Sequence, residues 1–541
     1  MNYGFIIDNR KCIGCHACTV ACKSEHDVPI GVNRTWVKYM EKGEFPNTRR
    51  VFSVMRCNHC ADAPCVDICP TAALFNRVDG IVDFDNRRCI GCRACMQACP
   101  YDALYLDPET STAAKCNYCA HRIEIGLEPS CVNVCPEHAI ISGDLDNPAS
   151  EIAQLMAREQ VTARKVDKGT QPKLFYIDGD EISLNPILAE QSEEYMWSSQ
   201  SSGVGHFAKY AEERLARNAQ NVAEESTWVG DEADKVLVPS QDMQGKAEDV
   251  VQERARRVYD APDKGVIWGR DVSAYIWTKA VSTGVFLVLF LAMSLGSVQV
   301  DASLQWFGIS TGLFFLAITT WLLVKDLDQA KRFVYVLLRP QWKSWLVRGG
   351  YALTLYGTFL ALWGVAVVFK WRPLLVNPIL WGCGMSAIIA AVYTAFLFAQ
   401  AKGRDFWQSP MLSLHMLIHS LLAGTSALVL FFAFAPTNPA WMSFLRTLLL
   451  SAIAFNLLIL TIELLTTHPT EDSRRVVQMI TTGQFSRLFW FGSLFGGTLV
   501  PLVLATMGET MMLALSGGLV LIGIYITEHI WVRAPQLIPL S

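Results

Sequence analysis

Sixteen of the 17 cysteines in this chain of 541 residues fall into four groups of four within the first 135 residues. The sequence begins MNYGFIIDNRKC, which has no basic stretch followed by an apolar core, so we expect no secretory signal. In a reducing compartment, so many cysteines favour metal ligation over disulfide bonds. The groups are Cys12-x2-Cys15-x2-Cys18-x3-Cys22, Cys57-x2-Cys60-x4-Cys65-x3-Cys69, Cys89-x2-Cys92-x2-Cys95-x3-Cys99 and Cys116-x2-Cys119-x11-Cys131-x3-Cys135.

The spacing within the groups indicates which metal centre they hold. A Cys-x2-Cys-x2-Cys turn lets three thiolates reach three corners of one [4Fe–4S] cubane, while the last cysteine ligates a neighbouring cluster. Structural zinc sites also use Cys-x2-Cys pairs, but they seldom place a third cysteine so close. Proline follows the last cysteine in three groups, at Pro70, Pro100 and Pro136, and Lys23 takes this place in the first. The sequence predicts an α+β, ferredoxin-like double domain with four [4Fe–4S] clusters.

The spacing leaves the pairing of the four groups open. Two-cluster units that join groups one with two and three with four satisfy it. Units that join one with four and two with three satisfy it equally. In both cases the sixteen cysteines supply all ligands for four clusters with none left over.

The carboxyl-terminal half consists of apolar segments of roughly 20 residues, the length that crosses a bilayer as a helix. The chain is 51% hydrophobic with a mean hydropathy of +0.25, and membrane spans explain these values better than a large soluble core. A net charge of −4 argues against a nucleic-acid partner. We predict an all-α, eight-helix transmembrane bundle with spans at 274–296, 303–324, 349–369, 378–400, 411–434, 440–465, 487–507 and 510–532.

These patterns divide the chain into three parts. Residues 1–187 are the iron–sulfur domain, which the segment Gln171 to Pro186 closes with a short strand and turn. Residues 188–267 are a polar linker, in which YAEERLARNAQNVAEE suggests an exposed helix. Residues 268–541 are the membrane domain.

Basic residues in the loops predict how the bundle is oriented. The loops on one side of the eight spans hold only Lys370 and Arg372, with Arg446 nearby inside the sixth span. By the positive-inside rule the richer side is cytoplasmic, which places the iron–sulfur domain on the cytoplasmic side of the inner (cytoplasmic) membrane. The richer side holds Lys325, Lys331, Arg332, Arg339, Lys343, Arg348, Lys402, Arg404, Arg474, Arg475, Arg487 and Arg533.

The first 185 residues or so resemble the four-cluster iron–sulfur subunit of the dimethyl sulfoxide reductase family of molybdenum enzymes. The resemblance rests on CNHCADAPCVDICPTAAL, DFDNRRCIGCRACMQACPYDA and KCNYCAHRIEIGLEPSCVNVCP, including the eleven-residue gap in group four. It implies that groups one and four share two clusters and that groups two and three share the others. The implied ligand sets are Cys12, Cys15, Cys18 and Cys135; Cys116, Cys119, Cys131 and Cys22; Cys57, Cys60, Cys65 and Cys99; and Cys89, Cys92, Cys95 and Cys69.

From about Trp268 the chain resembles the heme-free membrane subunits of polysulfide reductase type, the NrfD-like family. The stretches DLDQAKRFVYVLLRPQWKSWLVRGGYALT and HPTEDSRRVVQMITTGQFSRLFW carry this resemblance. It implies a bundle that oxidises or reduces a quinone beside the iron–sulfur subunit. Fusion of both parts in one chain departs from the commoner arrangement of separate polypeptides.

Polar residues near or within the spans are candidates for the quinone region, because such residues are costly at membrane depth. Lys279 contacts a quinone carbonyl or, as we prefer, snorkels to the cytoplasmic edge. Asp326 and Arg339 lie in the loop after the second span, where the cluster domain must dock or where charge anchors the interface.

Two histidines in the fifth predicted span form a second group of candidates. His415 and His419 share one helix face, where they shuttle protons, bind a quinone head group or pack as hydrogen-bonded core residues. From one face they cannot ligate a heme from opposite sides, so we expect no b-type heme. Glu463 belongs to a proton path or, more commonly in such a place, forms a salt bridge with Arg474 or Arg475.

The chain has no nucleotide-binding fingerprint and no stretch left over for a pterin domain, so we expect no substrate-binding catalytic residues of its own. By resemblance its partner is a molybdopterin-containing catalytic subunit acting on an inorganic sulfur species, a sulfoxide or formate. Cytoplasmic orientation favours oxidation of a substrate such as sulfite, with electrons passing to quinone within the membrane lipid. The alternatives are a proton-translocating component of a redox-driven complex and a passive anchor for the cluster domain.

Overall fold

The computed structural model describes residues 1–43, 47–191, 255–260, 264–296, 298–435 and 438–541. Its amino-terminal part is built from short strands and helices, and its carboxyl-terminal part from long helices. The strands are β1 Tyr3–Asp8, β2 Thr35–Lys42, β3 Arg49–Arg56, β4 Leu74–Asn76, β5 Val82–Phe84, β6 Leu104–Asp107, β7 Thr112–Lys115, β8 Ile140–Asp144, β9 Val161–Thr162, β10 Leu174–Ile177, β11 Glu190–Gln191 and β12 Ala255–Tyr259. The short helices between them are Ala17–Glu25, Pro64–Ile68, Ala94–Ala98, Ala120–Ile123, Ser130–Asn133, Glu151–Arg158 and Glu181–Leu184.

Strand β1 ties the two ends of the amino-terminal part together. It pairs in parallel with β10 and antiparallel with β8, in a sheet of order β8-β1-β10-β9. Its alternate faces carry Phe5 and Ile7 into one apolar core and Ile6 into another. The segment Gln171 to Pro186 thus contains the closing strand predicted from the sequence.

A second sheet, of order β11-β12-β2-β3, extends beyond that closing segment. Strand β12 pairs antiparallel with β2, although it lies within the stretch predicted as a polar linker. Two buried ion pairs fix it there, since Lys38 Nζ lies 2.6 Å from Asp260 Oδ1 and Arg257 Nη1 lies 2.7 Å from Asp260 Oδ2. The predicted helix YAEERLARNAQNVAEE lies outside the described residues.

Within the described residues, eight helices are long and apolar enough to cross a membrane, as the sequence predicts. We number them as spans in chain order. The seventh begins as a widened π-helix and continues as an α-helix from Val500, next to Pro501, which lacks an N–H group. The spans are Arg270–Leu295, Ala302–Lys325, Trp345–Val368, Pro373–Gln400, Met411–Phe434, Pro439–Leu465, Leu488–Met507 and Thr510–Arg533, with the shorter helices Tyr335–Leu338 and Glu471–Thr481 in the loops.

The first and fifth spans cross with their backbones in contact. A Cβ atom at Gly284 would lie 1.8 Å from the Ser420 carbonyl oxygen, and one at Gly424 would lie 2.0 Å from the Gly284 carbonyl carbon. Only glycine permits this approach, a common device of membrane helices. The crossing draws the polar residues of both spans into the interior of the bundle.

The iron–sulfur part docks on the bundle through buried polar bonds. Arg93 donates to the carbonyl oxygens of Ile267 and Asp326, at 3.1 and 2.8 Å. Arg404 donates from Nε to Gln97 Oε1 at 2.8 Å and from Nη1 to the carbonyl oxygens of Pro535 and Ile538. One guanidinium therefore joins the cluster domain, a membrane loop and the carboxyl terminus.

Replacing Arg404 by alanine is expected to loosen this junction, because three buried acceptors lose a charged donor at about 1–3 kcal/mol each. Thermal unfolding of the detergent-solubilised protein, followed by tryptophan fluorescence, should show a midpoint several degrees lower. Arg87→Ala is the control, since that side chain is 91% exposed and its ion pair is with Asp85 on its own turn. Equal midpoints for R404A and R87A would contradict the assigned role of Arg404.

Candidate functional site

The first cysteine of every group begins the same backbone turn. The second residue after it has a positive φ in all four groups, at Gly14 (70°), His59 (42°), Gly91 (71°) and Tyr118 (62°). In three of them the backbone N–H of that residue lies 3.4–3.5 Å from the sulfur of the first cysteine. Such amides stabilise the negative charge of a cluster ligand. Glycine signals this turn in two groups, and nothing in the sequence signals it at His59 or Tyr118.

The fold gathers the sixteen thiols into four sets of four. Neighbouring thiols within each set lie close enough to interact electrostatically. In two of the sets, the four thiols line a cavity of their own. This is the arrangement implied by the resemblance, in which group one joins four and two joins three. We call the sets outer (Cys12, Cys15, Cys18, Cys135), second (Cys22, Cys116, Cys119, Cys131), third (Cys57, Cys60, Cys65, Cys99) and inner (Cys69, Cys89, Cys92, Cys95).

The four sets suit [4Fe–4S] clusters, because each offers four sulfur donors and no other ligand type. Burial raises the pKa of Cys18 and of Cys116 to about 12 and that of Cys99 to about 11. These thiols are therefore protonated at neutral pH as long as no cluster is bound, even though Arg56 faces Cys18 and Cys116. Cluster binding must release their protons and is favoured as the pH rises.

The sets form a single row from the protein surface to the membrane spans. Thiols of consecutive sets approach at Cys18 and Cys131, then at Cys116 and Cys57, and finally at Cys95 and Cys65. Cys15 at the outer end is exposed. At the inner end, Trp268 Nε1 donates to the Cys92 carbonyl oxygen at 3.2 Å.

An apolar cavity of about 750 Å³ adjoins the inner set. Ile90, Cys92 and Trp268 form its wall on the cluster side, and residues of the first four spans and of the loop between the second and third spans form the rest. Tyr275, Tyr393 and Asp326 are among its few polar residues. A large apolar pocket with a few converging polar groups is the usual form of a site for an amphipathic small molecule.

Three of the predicted quinone-region residues take different positions relative to this cavity: one lines it, one lies behind its wall and one lies outside it. Asp326 lines it, and burial raises the pKa of this carboxyl to about 6. Lys279 lies behind the wall, where Nζ donates to Thr394 Oγ1 at 2.6 Å and sits 4.7 Å from the Tyr393 ring centre. The preferred expectation that Lys279 snorkels to the edge is wrong, because its helix is enclosed by neighbours and the side chain is 1% exposed. Arg339 lies over the Tyr335 ring and does not line the cavity.

The predicted histidines lie apart from the cavity, in a buried His–Glu network. His415 Nδ1 lies 2.9 Å from Glu463 Oε2, and His419 Nδ1 lies 2.7 Å from Glu528 Oε1. His419 Nε2 faces Asn456 Oδ1 at 3.2 Å. The 2.7 Å contact is a hydrogen-bond length, shorter than the spacing of about 3.3 Å between two ligands on one zinc ion. These contacts are those of a hydrogen-bonded network.

One expectation about the acids of the bundle is wrong, and one acid was overlooked. Glu463 does not pair with Arg474 or Arg475, because Arg475 pairs with Glu471 one helical turn away and Arg474 donates to the His468 carbonyl. Glu528 in the eighth span was missed by sequence reasoning. The signal for it is a carboxylate within an apolar span, which is costly without a partner.

Comparison with known proteins assigns both parts of the chain. The family model described as polysulphide reductase, NrfD, matches residues 261–538. The chain belongs to the NrfD family. Two models described as 4Fe-4S dicluster domain match residues 11–74 and 49–145 of the amino-terminal part. The chain is thus a multi-pass membrane protein in which an iron–sulfur part is fused to an NrfD part, as the sequence predicts.

Curated relatives match the iron–sulfur part of this NrfD family member. A tetrathionate reductase subunit of Salmonella typhimurium is 44% identical over 192 residues, which are 34% of this chain and 76% of the relative. A polysulfide reductase polypeptide of Wolinella succinogenes is 42% identical over 178 residues, 32% of this chain and 93% of the relative. Thiosulfate reductase electron transfer subunit PhsB of Salmonella typhi is 44% identical over 162 residues, 29% of this chain and 83% of the relative.

The arrangement of thiols predicts which cluster each cysteine affects. Replacing Cys69 by serine should remove or convert only the inner cluster, although Cys69 belongs to the second sequence group. Iron analysis and electron paramagnetic resonance (EPR) of the dithionite-reduced protein should show one altered cluster and three intact ones. Cys383→Ser is the control, because this buried cysteine lies in the fourth span outside all four sets. Loss of the third cluster instead of the inner one in C69S would contradict the arrangement.

Proposed function

We propose that the chain is the electron-transfer and membrane-anchor subunit of an oxidoreductase complex and that its membrane substrate is a quinone. In this proposal the sixteen cysteines hold four [4Fe–4S] clusters, which supply one-electron relay sites between a catalytic partner and the quinone. The observation that carries the proposal is the contact of Cys92, in the inner set, with the apolar cavity. The relatives named as reductase subunits and as an electron transfer subunit support the same role.

The cavity suits a quinone in both shape and chemistry. Its apolar walls between the first four spans fit an isoprenoid tail, and Tyr275, Tyr393 and Asp326 supply polar groups for the head group. Oxidation of a quinol releases two electrons and two protons. Tyr275 and Tyr393 orient the ring oxygens by hydrogen bonding, and the Asp326 carboxyl, whose pKa lies at about 6, accepts or returns a proton near neutral pH.

The outer set is the proposed docking point of the catalytic partner. Cys15 is exposed there, next to Ile13, which is 55% exposed, with Val20 on the following helix 64% exposed. Exposed apolar side chains beside a redox centre suit a partner that closes over them. By its resemblance to the dimethyl sulfoxide reductase family, the chain pairs with a molybdopterin enzyme acting on an inorganic sulfur species, a sulfoxide or formate. The basic loops support a cytoplasmic position for this end, in the inner membrane.

Filling the cavity should block the quinone without touching the clusters. Gly350 lines the cavity, and a Cβ atom there would lie 3.7 Å from its nearest neighbour, Val336 Cγ1, so leucine is tolerated and projects inward. We expect Gly350→Leu to slow cluster reduction by quinol in membranes at least about tenfold, the effect of losing about 1.4 kcal/mol of binding. Stopped-flow absorbance of the clusters after quinol addition measures this rate.

Gly518→Leu is the matched control, because Gly518 also has open space beside it but lies in the eighth span away from the cavity. Dithionite should reduce the clusters of both variants fully. Equal quinol rates in G350L and G518L would contradict the assignment of the cavity. No quinol reduction in the wild type would instead support a passive anchor.

The buried His–Glu network favours a second function, proton translocation coupled to electron flow. Two carboxylates and two imidazoles share protons inside the bundle, and Glu463 also lines a pocket of about 470 Å³ with Lys168, Asp405 and His468. That pocket lies between the iron–sulfur part and the loops of the bundle. It connects the network to water on the side where the clusters dock.

Glu528→Gln tests this second function, because the amide keeps the shape of the side chain but cannot take up a proton. In proteoliposomes with an internal pH dye, the variant should lose proton movement that accompanies quinol oxidation and keep cluster reduction. Glu509→Gln, at the exposed start of the same span, should behave as the wild type. An internal pH that stays constant during turnover of the wild type would exclude translocation.

A further inference from the structure

Arg56 is a buried cation for which the described part of the fold provides no carboxylate partner. It is the last residue of β3 and is 0% exposed. Nη1 donates to Cys131 Sγ at 3.2 Å, and the guanidinium lies 4.6 Å from the ring centre of Phe5. Nε and Nη2 have no hydrogen-bond partner among the residues that the structure describes.

The groups around Arg56 show where its counter-charge lies. Within the described residues, the acidic groups that interact with it are the thiols Cys18, Cys22, Cys116 and Cys131, which become anionic thiolates when they bind a cluster. The other titratable groups near it are His59 and Tyr176, and neither supplies an anion at neutral pH. Lys115 and Lys173 also interact with His59, and both interact with thiols of the third set. A guanidinium so deeply buried needs anionic sulfur to offset its lost hydration.

These thiols belong to the two sets farthest from the membrane. Cys18 is in the outer set, and Cys22, Cys116 and Cys131 are in the second set. A [4Fe–4S] cluster on four thiolates is negatively charged, and reduction adds a further electron. A fixed cation nearby stabilises the reduced form more than the oxidised form, and hydrogen bonds to the sulfurs act in the same direction.

We propose that Arg56 is a positioning residue that sets the reduction potentials of the outer and second clusters, holding both above the values that their burial alone would give. The inference rests on the proposed assignment of these cysteines as cluster ligands. Because an arginine stays protonated at any physiological pH, the effect is permanent. The charge of Arg56 lowers the free energy of an electron on the outer and second clusters, where the catalytic partner docks, relative to an electron on the clusters near the quinone.

Redox titration of the full-length protein, followed by EPR, tests this role. In Arg56→Gln the equilibrium constant for one-electron reduction of the second cluster should fall at least tenfold, which corresponds to about 59 mV. The outer cluster should shift in the same direction. The third and inner clusters should shift less, because Arg56 does not contact their sulfurs.

Arg164→Gln is the matched control. Its guanidinium is also buried, but it donates to the Leu184 carbonyl and to Met55 Sδ and contacts no cysteine of the four sets. All four potentials should stay close to those of the wild type in this variant. Arg56→Lys keeps the positive charge, so the reduction potentials of its outer and second clusters should stay close to those of the wild type. This variant can also be measured if R56Q fails to assemble its clusters.

Iron content and the count of EPR signals come first, because fewer than four clusters in the wild type would overturn the proposed function itself. With four clusters present, unchanged potentials in R56Q would overturn the role of Arg56. A drop in R56K equal to that in R56Q would overturn it too, since the charge is then not the cause. The same drop in R164Q would also overturn it, as a general effect of losing a buried arginine.

Discussion

The junction between the inner cysteine set and the first span is the contact on which the rest of the structure depends. Trp268 donates to the Cys92 carbonyl, and Arg93 donates to the carbonyls of Ile267 and Asp326. These bonds place one end of a row of thiols against an apolar cavity in the membrane part. Covalent fusion keeps the two parts together, and these contacts hold the redox end of one against the ligand-sized cavity of the other.

Several buried ionisable groups face a charged or ionisable partner within reach, in both parts of the molecule. In the membrane part, His415 meets Glu463 and His419 meets Glu528. In the iron–sulfur part Arg56 faces cysteine sulfur instead of a carboxylate, and thus depends on the clusters. Cluster assembly and folding of the amino-terminal part are therefore coupled. The membrane network, in contrast, is joined by hydrogen bonds among its own side chains.

Local patterns made the clusters, the eight spans and their families predictable from the sequence. The cysteine spacing and the apolar runs are signals contained in short stretches of sequence, and so is the signal for the closing strand before Pro186. The partners of His415 and His419 are 48 and 109 residues away in the chain, so no local signal reveals them. Lys279 was misjudged because burial of a whole span depends on its neighbours. The cavity beside Cys92 appears only when the first four spans pack together.

The central claim is that a quinone in the cavity exchanges electrons with the inner cluster. A semiquinone trapped at intermediate potential lets pulsed EPR measure this directly through its spin relaxation. Our account expects relaxation to accelerate when the inner cluster is reduced, and this acceleration to disappear in C69S. A semiquinone whose relaxation is the same with the inner cluster oxidised, reduced or altered would contradict it.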